Sequence, residues 1–219
     1  MSNKKHQVFI DFDDVLINTR ALKKEYFKLF GKFGIPQKEA QKSYKETAIK
    51  YKGYRANRHL RLLRKSYPKL TLPKTKQLLN SFFRKTKKYI FKDVVGFLVW
   101  LRKAGWKVIM VSSGDPKFQR NKITASGLSK YFQRVYITKD YRKSAYLKKT
   151  GLVSEDSFVF LDDRIEVIED VKKHFPGAVV IQIIRHPNHP KAKTADFVKK
   201  DLSQVKALCQ TRMIHEKTT

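Results

Sequence analysis

Three carboxylates, Asp11, Asp13 and Asp14, stand within four residues of one another, directly after the apolar run Val8-Phe9-Ile10. An apolar run without alternation suits a strand buried on both faces, the usual state of a central parallel strand. Residues two apart on such a strand point to the same side, so Asp11 and Asp13 share one crevice at its carboxyl end. Anions held that close are tolerated only beside a cation or with a shared proton. The residue types therefore ask for a metal or a catalytic site, and open parallel sheets bind their ligands at that end of the strands.

Other polar residues fall at the carboxyl ends of further predicted strands. Ser112, followed by Ser113 and Gly114, comes after the strand Trp106 to Val111, and the pair Asp162/Asp163 comes after Phe158 to Leu161. Lys143 opens a helix that follows the short strand Val135-Tyr136-Ile137, and Ala178 to Ile183 reads as a fifth strand. Helical spacing marks the intervening segments: Val94, Phe97, Leu98 and Leu101; about Pro116 to Ser126; Ser144 to Lys149; Val167, Ile168 and Val171; and a last helix through Val205 and Leu208. Alternation of strand and helix implies an α/β fold, a Rossmann-like parallel sheet with helices on both faces. Residues 18–91 have a different texture. Asn18-Thr19 is a helix cap, and apolar stripes follow at Leu22, Tyr26, Leu29, Phe30 and Phe33, at Ala40, Tyr44, Ala48 and Tyr51, at Leu60, Leu63 and Tyr67, and at Leu78, Leu79, Phe82 and Phe83. The expected organisation is a catalytic core from residues 1–17 and 92–219, with 18–91 an all-helical insertion.

The chain has 219 residues, 41% of them hydrophobic, enough for one α/β domain with a modest insertion. No apolar run approaches the length of a membrane span, and residues 1–6 lack the apolar stretch of a secretion signal. One cysteine, Cys209, forms no internal disulfide, so the expected setting is the reducing cytoplasm. The charge is unusual: 49 Lys and Arg against 19 Asp and Glu, a formal net charge of +30. Residues 18–91 hold 22 of those bases but only Glu25, Glu39 and Glu46 as acids. Such a surplus is associated with polyanionic partners, nucleic acid among them, although a lysine-rich genome composition also raises it.

The order of the four polar groups resembles the haloacid dehalogenase superfamily of phosphohydrolases. The motifs are Asp11-Phe12-Asp13-Asp14-Val15-Leu16; Val108-Ile109-Met110-Val111-Ser112; Lys143-Ser144-Ala145-Tyr146-Leu147; and Phe158-Val159-Phe160-Leu161-Asp162-Asp163. The resemblance spans nearly the whole chain and implies that the helical insertion is a cap over the active site. It implies Asp11 as nucleophile, giving an aspartyl-phosphate, and Asp13 as general acid and base. Asp13 is then expected to be partly neutral, its proton affinity raised by Asp11. Ser112 is implied as a donor to a phosphoryl oxygen and Lys143 as its cationic partner, with Ser113, Gly114 and Arg164 as substrate-binding residues. Mg²⁺ is the implied cofactor, held by Asp11, the Asp13 carbonyl and Asp163, with Asp162 direct or through water.

The chain also departs from the family pattern. Asp14 stands where relatives often have glycine, and is read as capping the turn. Val167 and Ile168 occupy positions where some relatives carry another acid, so the metal site relies on Asp162/Asp163. Lys139 competes with Lys143 for the phosphate, and the helix begun by Lys143 fits the family better. His186-x-x-His189 reads as a surface loop, since no helix holds the pair on one face. Arg55, Arg58, Arg61, Arg64 and Lys65 read equally as a basic ridge or as a solvated face. The expected function is phosphate-monoester hydrolysis of a phosphorylated metabolite or nucleotide. Asp162-Asp163-Arg164 also resembles the phosphatase part of polynucleotide end-repair enzymes, which makes a 3′-phosphatase one alternative. A nucleic-acid-binding protein on an inactive scaffold is another.

Overall fold

Period-two alternation runs through every central strand of the computed structural model, which describes residues 6–51, 53–139, 141–153 and 158–210. The reading of the extreme amino terminus falls mostly outside those residues. Six strands pair in parallel: β1 (Gln7–Ile10), β2 (Lys107–Ser113), β3 (Arg134–Thr138), β4 (Val159–Asp162), β5 (Val179–Ile183) and β6 (Phe197–Lys199). Val8, Ile10, Val108, Met110, Val159 and Leu161 face one core, while Phe9, Ile109, Val111 and Phe160 face the other. Both faces are buried, as the unbroken apolar runs require.

Nine helices longer than a single turn accompany the sheet among the described residues: α1 (Thr19–Phe30), α2 (Gln37–Lys50), α3 (Ala56–Ser66), α4 (Leu72–Lys85), α5 (Val94–Lys103), α6 (Pro116–Ser126), α7 (Lys143–Lys149), α8 (Ile165–His174) and α9 (Leu202–Gln210). Leu98, Leu101, Ile123 and Val205 cover the first core, and Leu147, Val167, Ile168 and Val171 cover the second. No helix among the described residues is long and apolar enough to cross a membrane.

The strand order is β3-β2-β1-β4-β5-β6. The chain thus works outward from β1 to β3, then crosses back to place β4 on the other side of β1. A crevice opens at such a switch point, beyond the carboxyl ends of β1 and β4. Register fixes what stands there. Ile10 pairs with both Met110 and Leu161, and the Asp11 amide donates to the Leu161 carbonyl at 2.9 Å. Asp11 and Asp162, one residue further on, therefore emerge side by side.

The sequence reading gives five strands, and the structure adds β6 at the sheet edge. Phe197-Val198-Lys199 is three residues long and half-buried, too short for an apolar pattern to register. The first three predicted helices also end earlier than read: Phe33 lies in a separate turn past Phe30, and Tyr51 and Tyr67 are caps instead of last apolar positions of the second and third.

Helices α1–α4 lie between β1 and α5, and the two connections run side by side. The Asn18 amide donates to the Tyr89 carbonyl at 2.7 Å, and the Phe91 amide to the Leu16 carbonyl at 3.1 Å. Asn18 caps α1 through its side chain, which accepts from the Ala21 amide at 2.9 Å.

Candidate active site and metal centre

The turn after β1 turns on Asp14. Its φ of +51° lies in the left-handed region, which explains why glycine suits this position. Asp pays less there than a branched residue, because its short side chain bonds locally. Asp14 Oδ1 accepts from the Thr19 amide at 2.9 Å, and the Asp14 amide donates to Thr19 Oγ1 at 3.2 Å. The residue closes the turn and locks it to the start of α1.

Lys143 is 1% exposed and bridges two strand ends. Its Nζ donates to Asp11 Oδ1 at 2.6 Å and to Asp162 Oδ2 at 2.7 Å. Burial disfavours its charge, but the two carboxylates more than offset that, and its pKa is raised. Lys139 lines the same chamber but is exposed.

The acids outnumber this lysine. Asp11, Asp162 and Asp163 each bring a carboxylate oxygen within 4.8 Å of the others. Burial, followed by the charges of Asp162 and Asp13, pushes Asp11 up to about 7 despite Lys143. Burial and then the charges of Asp162 and Asp11 push Asp163 up to about 9. Asp162 has both oxygens engaged, Oδ2 by Lys143 and Oδ1 by the Arg164 amide at 3.0 Å. The Asp163 carboxylate has no hydrogen-bond partner among the described residues. A trio of oxygens this crowded, short of positive charge and with one carboxylate free, fits a hard divalent cation.

Asp13 departs from expectation. Burial does oppose its charge, but Lys122, Thr19 and Gln119 outweigh it, and its pKa is lowered, not raised. Lys122 Nζ reaches both oxygens at 2.6 and 2.7 Å. Thr19 Oγ1 adds a bond at 2.5 Å to one, and Gln119 Nε2 a bond at 2.7 Å to the other. Gln119 also donates to Ser112 Oγ at 2.7 Å, so Ser112 is buried behind Gln119 while Ser113 and Gly114 line the chamber. Sequence reasoning missed Lys122 and Gln119. Both are buried on α6, which their spacing does not reveal, since polar residues three apart are usual on a solvated helix face.

The chamber encloses about 180 Å³. Asp11, Asp13, Asp163, Lys143 and Arg164 form its base, and Lys23, Tyr26, Tyr44, Tyr54 and Phe82 from the helical segment form its roof. Arg164 stacks on Tyr141, its guanidinium carbon 3.8 Å from the ring centre. Its Nε is buried and has no partner among the described residues, which leaves one donor free for an anion. In the roof, Tyr44 and Tyr54 stack with ring centres 4.3 Å apart.

One hydrogen-bond chain orients that roof. His59 Nε2 lies 3.2 Å from the Ala40 carbonyl, which only accepts, so Nε2 carries the proton. His59 Nδ1 then accepts from the Tyr54 hydroxyl at 3.1 Å, and Tyr54 in turn accepts from Tyr26 at 2.8 Å. Burial pushes His59 down to about 4 against the opposing bond to Ala40. The histidines of the other loop brace the site from outside it. His186 Nε2 stands 3.3 Å from Asp14 Oδ1, and His189 Nε2 donates to the Asp163 carbonyl at 3.0 Å.

Residues 8–173 match the family model of the haloacid dehalogenase-like hydrolases. The chain belongs to that family, and its parallel sheet is the family's fold. A haloacid dehalogenase-like hydrolase from Burkholderia xenovorans superposes with a TM-score of 0.75 at 18% identity, covering 93% of this chain and 96% of that one. A HAD phosphatase from Thermococcus onnurineus gives 0.66 at 23% identity, over 94% and 98%. The HAD-hydrolase YfnB from Bacillus subtilis, solved bound to magnesium, gives 0.67 at 13% identity, over 95% and 100%. A comparison with curated proteins gives no match.

Proposed function

We propose that the chain is a Mg²⁺-dependent phosphatase that hydrolyses small phosphate monoesters through Asp11. The family also holds dehalogenases, an L-2-haloacid dehalogenase among the structures of similar fold, so the reading rests on one observation: Asp13 beside Asp11 in the chamber, held by Lys122, Thr19 and Gln119. A halide leaves without a proton, whereas an alcohol leaving from phosphorus needs one. An ordered acid–base group two residues from the nucleophile has work to do only in the second reaction.

Asp11 attacks phosphorus, the P–O bond to the alcohol breaks, and the leaving oxygen takes a proton from Asp13. Asp13 next takes a proton from the water that attacks the aspartyl-phosphate, which releases inorganic phosphate and restores Asp11. Lys122 favours the charged Asp13 that the second step needs. A phosphate dianion arriving beside the pair raises the proton affinity of Asp13 for the first step. Lys143 orients Asp11 and neutralises charge on the phosphoryl oxygens, Arg164 supplies its free donor, and Ser113 and Gly114 line the phosphate's path. Asp11, Asp163 and the Asp13 carbonyl would hold Mg²⁺, with Asp162 acting through Lys143. When bound, the ion offsets the crowded carboxylates and the charge on phosphorus.

The chamber of about 180 Å³ falls below the roughly 300–1,000 Å³ of drug-sized sites. It suits a small ester under its aromatic roof better than the end of a polynucleotide. We read residues 18–91, which supply Tyr44, Tyr54 and Phe82 to that roof, as the cap of the active site.

Asp11→Asn tests the assignment. Turnover of a phosphate-ester panel, measured with Mg²⁺, should fall by at least about 10³-fold with an unchanged circular dichroism spectrum. Hydrolysis at a comparable rate by pure variant protein would overturn it, and so would release of halide from a 2-haloacid in place of phosphate from any ester.

A further inference from the structure

Outside the catalytic chamber, the described residues form a larger groove of about 860 Å³ between α3, α4 and the start of α6. Leu60, Leu79, Phe83 and Phe118 give it an apolar floor, and Arg61, Arg64, Lys76 and Lys117 give it a cationic rim. Asp115 is the one acid among its lining residues, and its Oδ1 is engaged by the Phe118 amide as the cap of α6. The surroundings add no compensation, since the sequence between Glu46 and Asp93 contains fifteen Lys and Arg and no acid.

Phosphates favour such a rim, and bases favour an apolar floor on which to stack. The side-chain amides of Asn57, Asn80 and Asn121 also line the groove, and none bonds to another described residue. Base edges would pair with these amides, whereas a hydrocarbon tail would leave them unsatisfied. We propose that this groove binds a single-stranded nucleic-acid segment, with its phosphates along Arg61, Arg64, Lys76 and Lys117 and its bases on the floor. The Phe118 ring separates groove from chamber and lines both, so the bound strand lies next to the active site without entering it.

The experiment is fluorescence anisotropy on the full chain with a labelled twelve-nucleotide single strand that carries no terminal phosphate. Log affinity should fall with log salt with a slope of about −2 to −3, from three or four phosphate contacts. Arg61→Glu with Arg64→Glu should weaken binding at least tenfold while hydrolysis of a small ester stays within twofold. Arg61→Gln with Arg64→Gln gives the same comparison should the charge reversal disturb folding. Asp11→Asn should bind the strand like the natural protein, which keeps this proposal separable from the phosphatase reading. Equal binding by the arginine variants overturns it. So does competition by inorganic polyphosphate as effective as competition by unlabelled strand, because the bases then contribute nothing. An equal arginine-dependent affinity for phosphatidylserine vesicles overturns it as well.

Discussion

Lys143 holds Asp11 and Asp162 while Lys122 holds Asp13, and removing either lysine has a different signature. Lys143→Met leaves Asp11 and Asp162 buried without a counter-charge, and breaking a buried pair from one side costs about 3–5 kcal/mol. Urea unfolding in chelator should show a loss of that order, together with loss of turnover. Lys122→Met removes the strongest influence holding Asp13 charged. The proton affinity of Asp13 then rises, and the alkaline limb of the kcat/KM profile, where the general acid of the first step is lost, should move to higher pH, while the Gln119 and Thr19 bonds keep the side chain in place. An unmoved limb would show that Asp13 does not govern it. At this scale, residue type and spacing in the sequence already bring Asp11, Asp13, Lys143 and Asp162/Asp163 to one crevice, because strand ends confine where short side chains reach. The partners of Asp13 were illegible for a physical reason. Lys122 reaches its carboxylate across 109 positions of sequence, and nothing local distinguishes it from the other lysines.

Among the elements, α3 shows what a pattern conceals. Its buried face holds Leu60, Leu63 and also His59, which is 0% exposed. Because His59 is held neutral, with a folded pKa of about 4 against 6.5 unfolded, the unfolded state binds the extra proton between those values. Its contribution is complete above pH 6.5, shrinks as pH falls, and is gone below about 4. Across that window it amounts to about 3 kcal/mol. Thermal melts of His59→Asn should show a smaller pH dependence than the natural protein over pH 4–6.5. A matching dependence would place the titration elsewhere. Strands β1, β2, β4 and β5 were legible because burial on both faces writes an unbroken apolar run into the sequence. Edge strand β6 buries too little to leave that mark.

At the scale of the molecule, a surplus of +30 coexists with a crowded trio of carboxylates, Asp11, Asp162 and Asp163, whose charge one buried lysine, Lys143, opposes. With Asp11 raised to about 7 and Asp163 to about 9, the metal-free fold loses stability as pH rises through those values, because both acids must charge against each other. A divalent ion relieves that cost by competing with the protons. The rise in melting temperature on adding Mg²⁺ should therefore be larger at pH 8 than at pH 6, and an equal rise at both would argue against these ligands. The surplus itself was plain in composition, but its use was not, since only the fold shows which cations rim a groove. One feature of the chain path governs how the chamber works in turn. A substrate must pass a roof that closes over about 180 Å³, and residues 16–18 and 89–91, the two connections to that roof, are bonded to each other. Two tethers laced together leave a single axis for any movement of the roof, so opening the chamber is expected to carry Tyr44 and Tyr54 away from the carboxylates together, like a lid on a jar with one clasp.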